Sequence, residues 1–192
     1  MAVKEIPNNP EAEQAVIGSM FLEKNALQKV KDVSNYITDD IDNDGIVEIP
    51  TDELLPFGYR ITENINQQTE LYMTAWSEFD NSELKIDFKS LMNSSFNYMF
   101  ILSDEFLNSM SAVYNDNNQT LTFYNVNNDG QLHDELFSIK AFYESEWDDN
   151  HHRYVKFAEN STFVYGYLIL NEDNNENYEE FILENFQILN QE

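Results

Sequence analysis

The residues best placed to do chemistry are Asp40-Ile41-Asp42-Asn43-Asp44-Gly45-Ile46-Val47-Glu48. Carboxylates at the first, third and fifth positions of such a loop can converge on one cation, and a glycine at the sixth permits the sharp turn between them. Asp40, Asp42, Asp44 and Gly45 occupy those positions. The backbone carbonyl of Ile46 would supply the seventh position, and Glu48 at the ninth would bind directly or through water. A hard, flexible, all-oxygen cage favours Ca2+ over Mg2+, which demands tighter geometry and fewer protein ligands. The loop departs from a complete EF-hand. Thr51 stands where the bidentate Glu would be, and the residues that follow are strand-like. The expectation is a structural calcium site of modest affinity. The other reading is an Asp-rich turn whose side chains cap backbone amides.

Other constellations carry less. Asn125-Val126-Asn127-Asn128-Asp129-Gly130 has similar spacing with mostly neutral ligands and reads as a hairpin turn. His151-His152 has no second pair at metal spacing and reads as a solvated loop. With 36 Asp and Glu, carboxylate pairs at any spacing arise by chance, so none marks a glycosidase pair. Ser, His and Asp form no recognisable triad, and there is no Gly-rich phosphate loop. Trp76 and Trp147 read as core or edge packing. The chain is expected to be non-enzymatic.

The elements that must position these residues are a helical arm and a sheet. Asn9-Pro10 is a helix start, with Asn9 able to cap and Pro10 at the first helical position. Ala15, Val16, Met20 and Phe21 follow at helical spacing, so residues 1–35 read as a helical arm. Residues 36–55 read as the Asp-rich calcium-type loop and a short extended run closed by Pro50. Residues 54–68 read as irregular, punctuated by Pro56 and Gly58. From Glu70 the period becomes two: Leu84, Ile86 and Phe88 alternate with Lys85, Asp87 and Lys89, a strand with one wet face. Phe96, Tyr98 and Phe100 interleave with Met99 and Ile101 and predict a more buried strand. Further strands are expected near 109–115, 119–126, 135–143, 153–158 and 162–170, with Asn115-Asp116-Asn117-Asn118 joining two of them as a tight hairpin and one helical turn near Ser103–Leu107. Tyr178, Phe181, Ile182, Phe186 and Leu189 form an apolar stripe on a closing helix. The expected architecture is α+β, a single antiparallel sheet with the N-terminal helical arm and a C-terminal helix packed on it, the sheet domain occupying residues 56–192.

Ten Lys and Arg against 36 Asp and Glu give a net charge of −26. Such a field repels phosphate and anionic lipid, so direct nucleic-acid binding is not expected. It favours cations and basic partners. The absence of cysteine removes disulfides and thiolate sites. No apolar run is long enough for a membrane span, so no membrane insertion is expected. No basic, then apolar, export signal is visible at the N-terminus, and the chain taken literally stays in the cytoplasm.

Two resemblances pull apart. Glu5-Ile6-Pro7-Asn8-Asn9-Pro10-Glu11-Ala12-Glu13-Gln14-Ala15-Val16-Ile17-Gly18-Ser19-Met20-Phe21-Leu22 resembles the start of bacterial replicative DNA helicases, where these residues open an all-helical domain for ring assembly and primase contact. The likeness ends near Lys31, and no ATPase domain follows. Residues 36–170 resemble the C-terminal region of secreted or lipid-anchored proteins of Gram-positive anaerobes, in which an Asp-rich calcium repeat like FG-GAP or VCBS units precedes a small domain. The residues that carry this are Asp40 to Pro50, Thr74-Ala75-Trp76, Phe100-Ile101-Leu102 and Glu135-Leu136-Phe137-Ser138-Ile139. The sheet region also looks loosely like the Mog1/PsbP type. The second resemblance implies a binding or interaction domain of the cell envelope or of a secreted protein, stabilised by one calcium ion and facing an unknown protein or envelope partner. The chain departs from that pattern in lacking an export signal and a lipid-anchoring cysteine. A second reading is an intracellular acidic modulator, whose helicase-like arm would compete in helicase assembly or whose acidic surface would mimic nucleic acid. A third reading is a hydrolase of an envelope polymer.

Overall fold

A computed structural model of the chain describes residue 41 and residues 45–62, 67–80, 83–171 and 178–189. The helical arm expected over residues 1–35 lies outside them. Ten strands form one sheet: β1 Ile49–Ile61, β2 Gln68–Asp80, β3 Glu83–Asn93, β4 Tyr98–Leu102, β5 Met110–Asn115, β6 Thr120–Val126, β7 Leu132–Tyr143, β8 Val155–Glu159, β9 Phe163–Ile169 and β10 Phe186–Ile188. The helices are short: α1 Asp104–Ser109, α2 Trp147–Asn150 and α3 Tyr178–Asn185.

The strand order is β10-β4-β3-β2-β1-β5-β6-β7-β9-β8. All neighbours are antiparallel except β1 and β5, which run parallel. The expectation of a single antiparallel sheet in an α+β, Mog1/PsbP-like domain is therefore corrected. The molecule is mostly β, and its sheet is mixed and curled into a half-barrel. The parallel pair arises because β2, β3, β4 and α1 intervene before the chain returns to the free edge of β1, and this return is what makes the sheet mixed.

β1 runs through the first part of the stretch expected to be irregular over residues 54–68, as far as Ile61. Pro50 lies within it, opposite Trp76 of β2. Pro56 and Gly58 are absorbed by a bulge, where the register shifts between Leu54 and Tyr59. Phe57 takes φ 62° in that bulge, and the Ser111 hydroxyl donates to the Pro56 carbonyl at 2.6 Å. A Cβ on Gly58 would stand 2.5 Å from a Leu55 methyl and 3.1 Å from the Ala112 carbonyl. Glycine here leaves room for the Leu55 side chain and eases the approach of the β5 backbone to β1.

The curl can be read from contacts between strands that are remote in sheet order. Tyr98 on β4 and Tyr165 on β9 would be roughly 34 Å apart in a flat sheet at the usual spacing. Their ring centroids are 5.9 Å apart. At the two outermost strands, Phe186 on β10 lies 4.7 Å from Phe157 on β8. Aromatic side chains thus bridge the rims that backbone pairing does not join.

The core lies inside the curl. Phe123 stacks on Phe137 at 4.4 Å, Phe100 leans on Phe123 at 4.8 Å, and Phe106 of α1 meets Phe123 edge-on. α3 fills the concavity: Phe181 packs on Phe100 and Phe137, Tyr178 packs on Phe137, and Ile182 is fully buried. The apolar stripe expected to continue as helix through Phe186 and Leu189 does not do so. The helix stops at Asn185, and Phe186–Ile188 pair with β4, whose open edge offers unpaired backbone groups.

The convex face carries its own smaller packing. Trp76 is buried and stacks on Phe88, and its indole N–H donates to Ser90 Oγ at 2.8 Å. Trp147 packs edge-on against Phe142, and His151 stacks on Trp147 at 4.6 Å. That stacking gives the histidine a structural place in a segment expected to be a solvated loop. Leu84 and Ile86 remain half exposed. They lie towards the tip of the β2–β3 hairpin and beyond the pairing with β4, Ile86 level with the first residue of β1 and Leu84 past it.

Candidate functional site

The calcium-type loop is described only at its closing end. Asp40, Asp42 and Asp44 lie outside the described residues. Ile46 is 42% exposed, whereas Glu48 is 1% exposed just ahead of β1. The Ile41 amide donates to the Glu48 carboxylate at 2.7 Å, which closes the turn across seven residues. Gly45 adopts φ +94° with no atom within 4 Å of where its Cβ would be. Glycine therefore supplies backbone freedom here rather than close packing. A buried carboxylate is stable only with donors or a cation around it. The seating of Glu48 and the conformation of Gly45 thus fit a turn folded about a cation, and equally a turn folded about its own amides. Among the described residues, no group of three or more His, Asp or Glu side chains converges as a metal site.

The second Asn-rich segment is the β6–β7 hairpin turn. Asn127 Oδ1 accepts the amides of Asp129 and Gln131 at 3.0 and 2.8 Å, the pattern of a side chain organising its own turn.

The site that the fold builds lies elsewhere. A cavity of about 520 Å³ opens at one end of the half-barrel. It is lined by the last residues of β1, β3, β5 and β7 and the first residues of β2, β4 and β6, all of which the alternating strand directions bring to the same end. Leu91, Phe96 and Leu121 contribute apolar surface, with Asn93, Ser94, Ser95, Gln119 and four tyrosines around them.

The parallel β1–β5 pairing creates its central feature. Arg60 is the register partner of Tyr114. Its guanidinium therefore lies over the Tyr114 ring, 5.5 Å from the centroid. Two residues beyond Tyr114, Asp116 binds Arg60 Nε at 2.8 and 2.9 Å and Nη2 at 2.8 Å. The Asp116 amide also donates to the Ile61 carbonyl at 2.9 Å, fixing the turn against β1. The hydrogen bond to Asp116 is the main reason the Arg60 pKa is raised, so its charge is permanent.

Asn93, at the end of β3, donates to the Tyr114 hydroxyl at 3.1 Å. Burial raises the pKa values of Tyr114 and Tyr98, while the hydrogen bond to Asn93 works in the opposite direction at both. These phenols therefore stay protonated as donors and acceptors. At the rim, the Tyr72 hydroxyl donates to Glu70 at 2.8 Å, which raises the phenol pKa. Tyr143 stands half exposed nearby, braced against Phe163 at 5.3 Å. Both carboxylates of the cavity are engaged, Asp116 by Arg60 and Glu70 by Tyr72. The arrangement can hold a polar solute by hydrogen bonds and ring faces.

Sequence reasoning did not find Arg60, Tyr114 or Asp116 as a site. Arg60 falls in a stretch that read as irregular, and Asp116 in a cluster that read only as a hairpin turn. The one available signal was the scarcity of cations, since Arg60 is one of ten Lys and Arg in the chain. No protein-family model matches the chain, and neither a curated protein nor a solved structure matches it significantly.

Proposed function

We propose that the protein is a non-catalytic binding domain of a cell-envelope or secreted protein. It takes its ligand in the cavity at the end of the half-barrel and uses one calcium ion structurally. The observation that carries the binding reading is the preorganised wall of that cavity. Arg60, Asp116, Tyr114 and Asn93 are already held by one another, so a ligand meets fixed donors and acceptors and orders few side chains on arrival. The volume is within the roughly 300–1,000 Å³ of small-ligand sites. The calcium reading rests on the spacing of Asp40, Asp42, Asp44, Ile46 and Glu48, together with the positive φ of Gly45 and the burial of Glu48. The ion would offset the carboxylates and fix the start of β1.

The test of the binding reading is a fragment screen of mixed chemistry on the full chain, followed by backbone amide shifts. Binders should shift the amides of residues 93–96 and 116–119 together. Shifts scattered over the surface, or none in those two segments with any fragment, would sink the reading.

A further inference from the structure

From the chemistry of this cavity, and resting on the reading of it as a ligand site, we infer that the ligand is a neutral carbohydrate, taken as a short segment of an oligosaccharide. Charge sets the first constraint. The ionic groups of the cavity are Arg60, Asp116 and Glu70, one cation against two anions, in a chain of net charge −26. An anionic ligand would meet an Arg60 charge already offset by Asp116, and would approach against the field of the whole molecule. A cationic ligand is disfavoured for a different reason. The Tyr114 face that would receive it is already covered by the Arg60 guanidinium at 5.5 Å, and that fixed positive charge repels a second.

Polarity sets the second constraint. An apolar ligand would bury Ser94, Ser95, Gln119 and the donors and acceptors still open on Asn93 and the tyrosine hydroxyls against groups that cannot bond them, and each group left unpaired weakens binding. What remains is a neutral molecule with many hydroxyls and some apolar faces.

The wall matches such a molecule in kind. A guanidinium has five N–H donors, and the contacts to Asp116 use only those on Nε and one on Nη2. The remaining donors, beside the acceptor oxygens of Asp116, form the paired donor–acceptor edge that adjacent sugar hydroxyls require. Asn93 adds an amide of the same dual character. Tyr143, 48% exposed and on the same strand face as the core residues Ile139 and Ala141, is the aromatic ring left open at this rim, where the C–H face of a pyranose would stack. Tyr143 is held by Phe163, so this platform is set before the ligand arrives.

The experiment titrates the full chain with neutral trisaccharides of gluco, manno, galacto, xylo and N-acetylglucosamine type. A trigalacturonate and tetramethylammonium serve as the charged arms, and all are read by calorimetry and amide shifts. The inference expects at least one neutral trisaccharide to shift residues 93–96 and 116–119. Tyr143→Ala, at an exposed ring, should weaken that binding tenfold or more, with unchanged melting temperature. Arg60→Lys, which keeps the charge but loses the planar fork, should also weaken it. If only trigalacturonate or tetramethylammonium shifts these residues, the cavity stands as a ligand site and the neutral-sugar inference is overturned. If no ligand shifts them, both fall. Sugar binding that survives Tyr143→Ala also overturns it, because the site would then lie elsewhere.

Discussion

At the scale of single residues, the molecule keeps its polar groups paired where they are buried. The Trp76 indole and the Ser90 hydroxyl are both nearly inaccessible, on a face of the sheet that does not contribute to the main core, and they bond at 2.8 Å. Replacing Ser90 with Ala should strand the indole N–H and cost about 1–3 kcal/mol. Urea denaturation would read this as a lower midpoint at unchanged slope. A loss below ~0.5 kcal/mol would mean that the N–H finds another partner, since an unpaired buried donor is not that cheap. Alternation along the sequence marks Trp76 as apolar and in register but says nothing of Ser90. That partnership exists because Thr74 pairs with Ser90 and Trp76 with Phe88 on adjacent strands.

At the scale of elements, the local pattern predicts strands better than it predicts where they stop. β5, β6, β7 and β9 lie close to where period-two alternation and the intervening turn residues place them. β1 was hidden, because Pro56 and Gly58 signal a break when the structure uses them to make a bulge. The helical stripe that ends in Phe186 and Leu189 gave no hint of β10, since only the open edge of β4 turns those residues into a strand. The calcium prediction belongs at this scale, because the ion would act on the start of β1. Millimolar calcium should raise the melting temperature by several degrees over EDTA, by mass action on a folded state that binds. Magnesium should not, and Asp42→Ala should abolish the rise. Equal melts in calcium and EDTA would reduce residues 40–48 to an acidic turn. The amide bond from Ile41 to Glu48 would then be its main tie.

At the scale of the whole molecule, a net charge of −26 acts on a half-barrel with few ion pairs among its described residues to offset it. Arg60–Asp116, Lys89–Glu53 and Lys156–Glu159 join three of the ten basic residues to acids. Self-repulsion should therefore destabilise the compact state at low salt. Raising sodium chloride from ~10 to ~150 mM shortens the screening length from about 30 to about 8 Å. The expected gain is on the order of 1 kcal/mol, or about 2–4 °C in a chain of this size, read by thermal melting. A flat or falling melting temperature would show that local pairing outweighs the long-range field.

What the sequence determined by itself is what depends on near neighbours along the chain. That covers the acidity, the order and approximate bounds of most strands, and the turn chemistry of Asn115 to Asn118 and Asn127 to Gly130. Only the tertiary structure decided the mixed sheet, the curl and the cavity, because each depends on which strands meet. Arg60 becomes part of a site only when β5 docks beside β1 and sets Tyr114 and Asp116 against it, more than fifty residues further along the chain. Tyr98 and Tyr165 likewise reveal a half-barrel only through a contact between strands at opposite ends of the sheet order. Periodicity records which face of a strand is buried. It carries no record of the partner, and the partner is what makes the site.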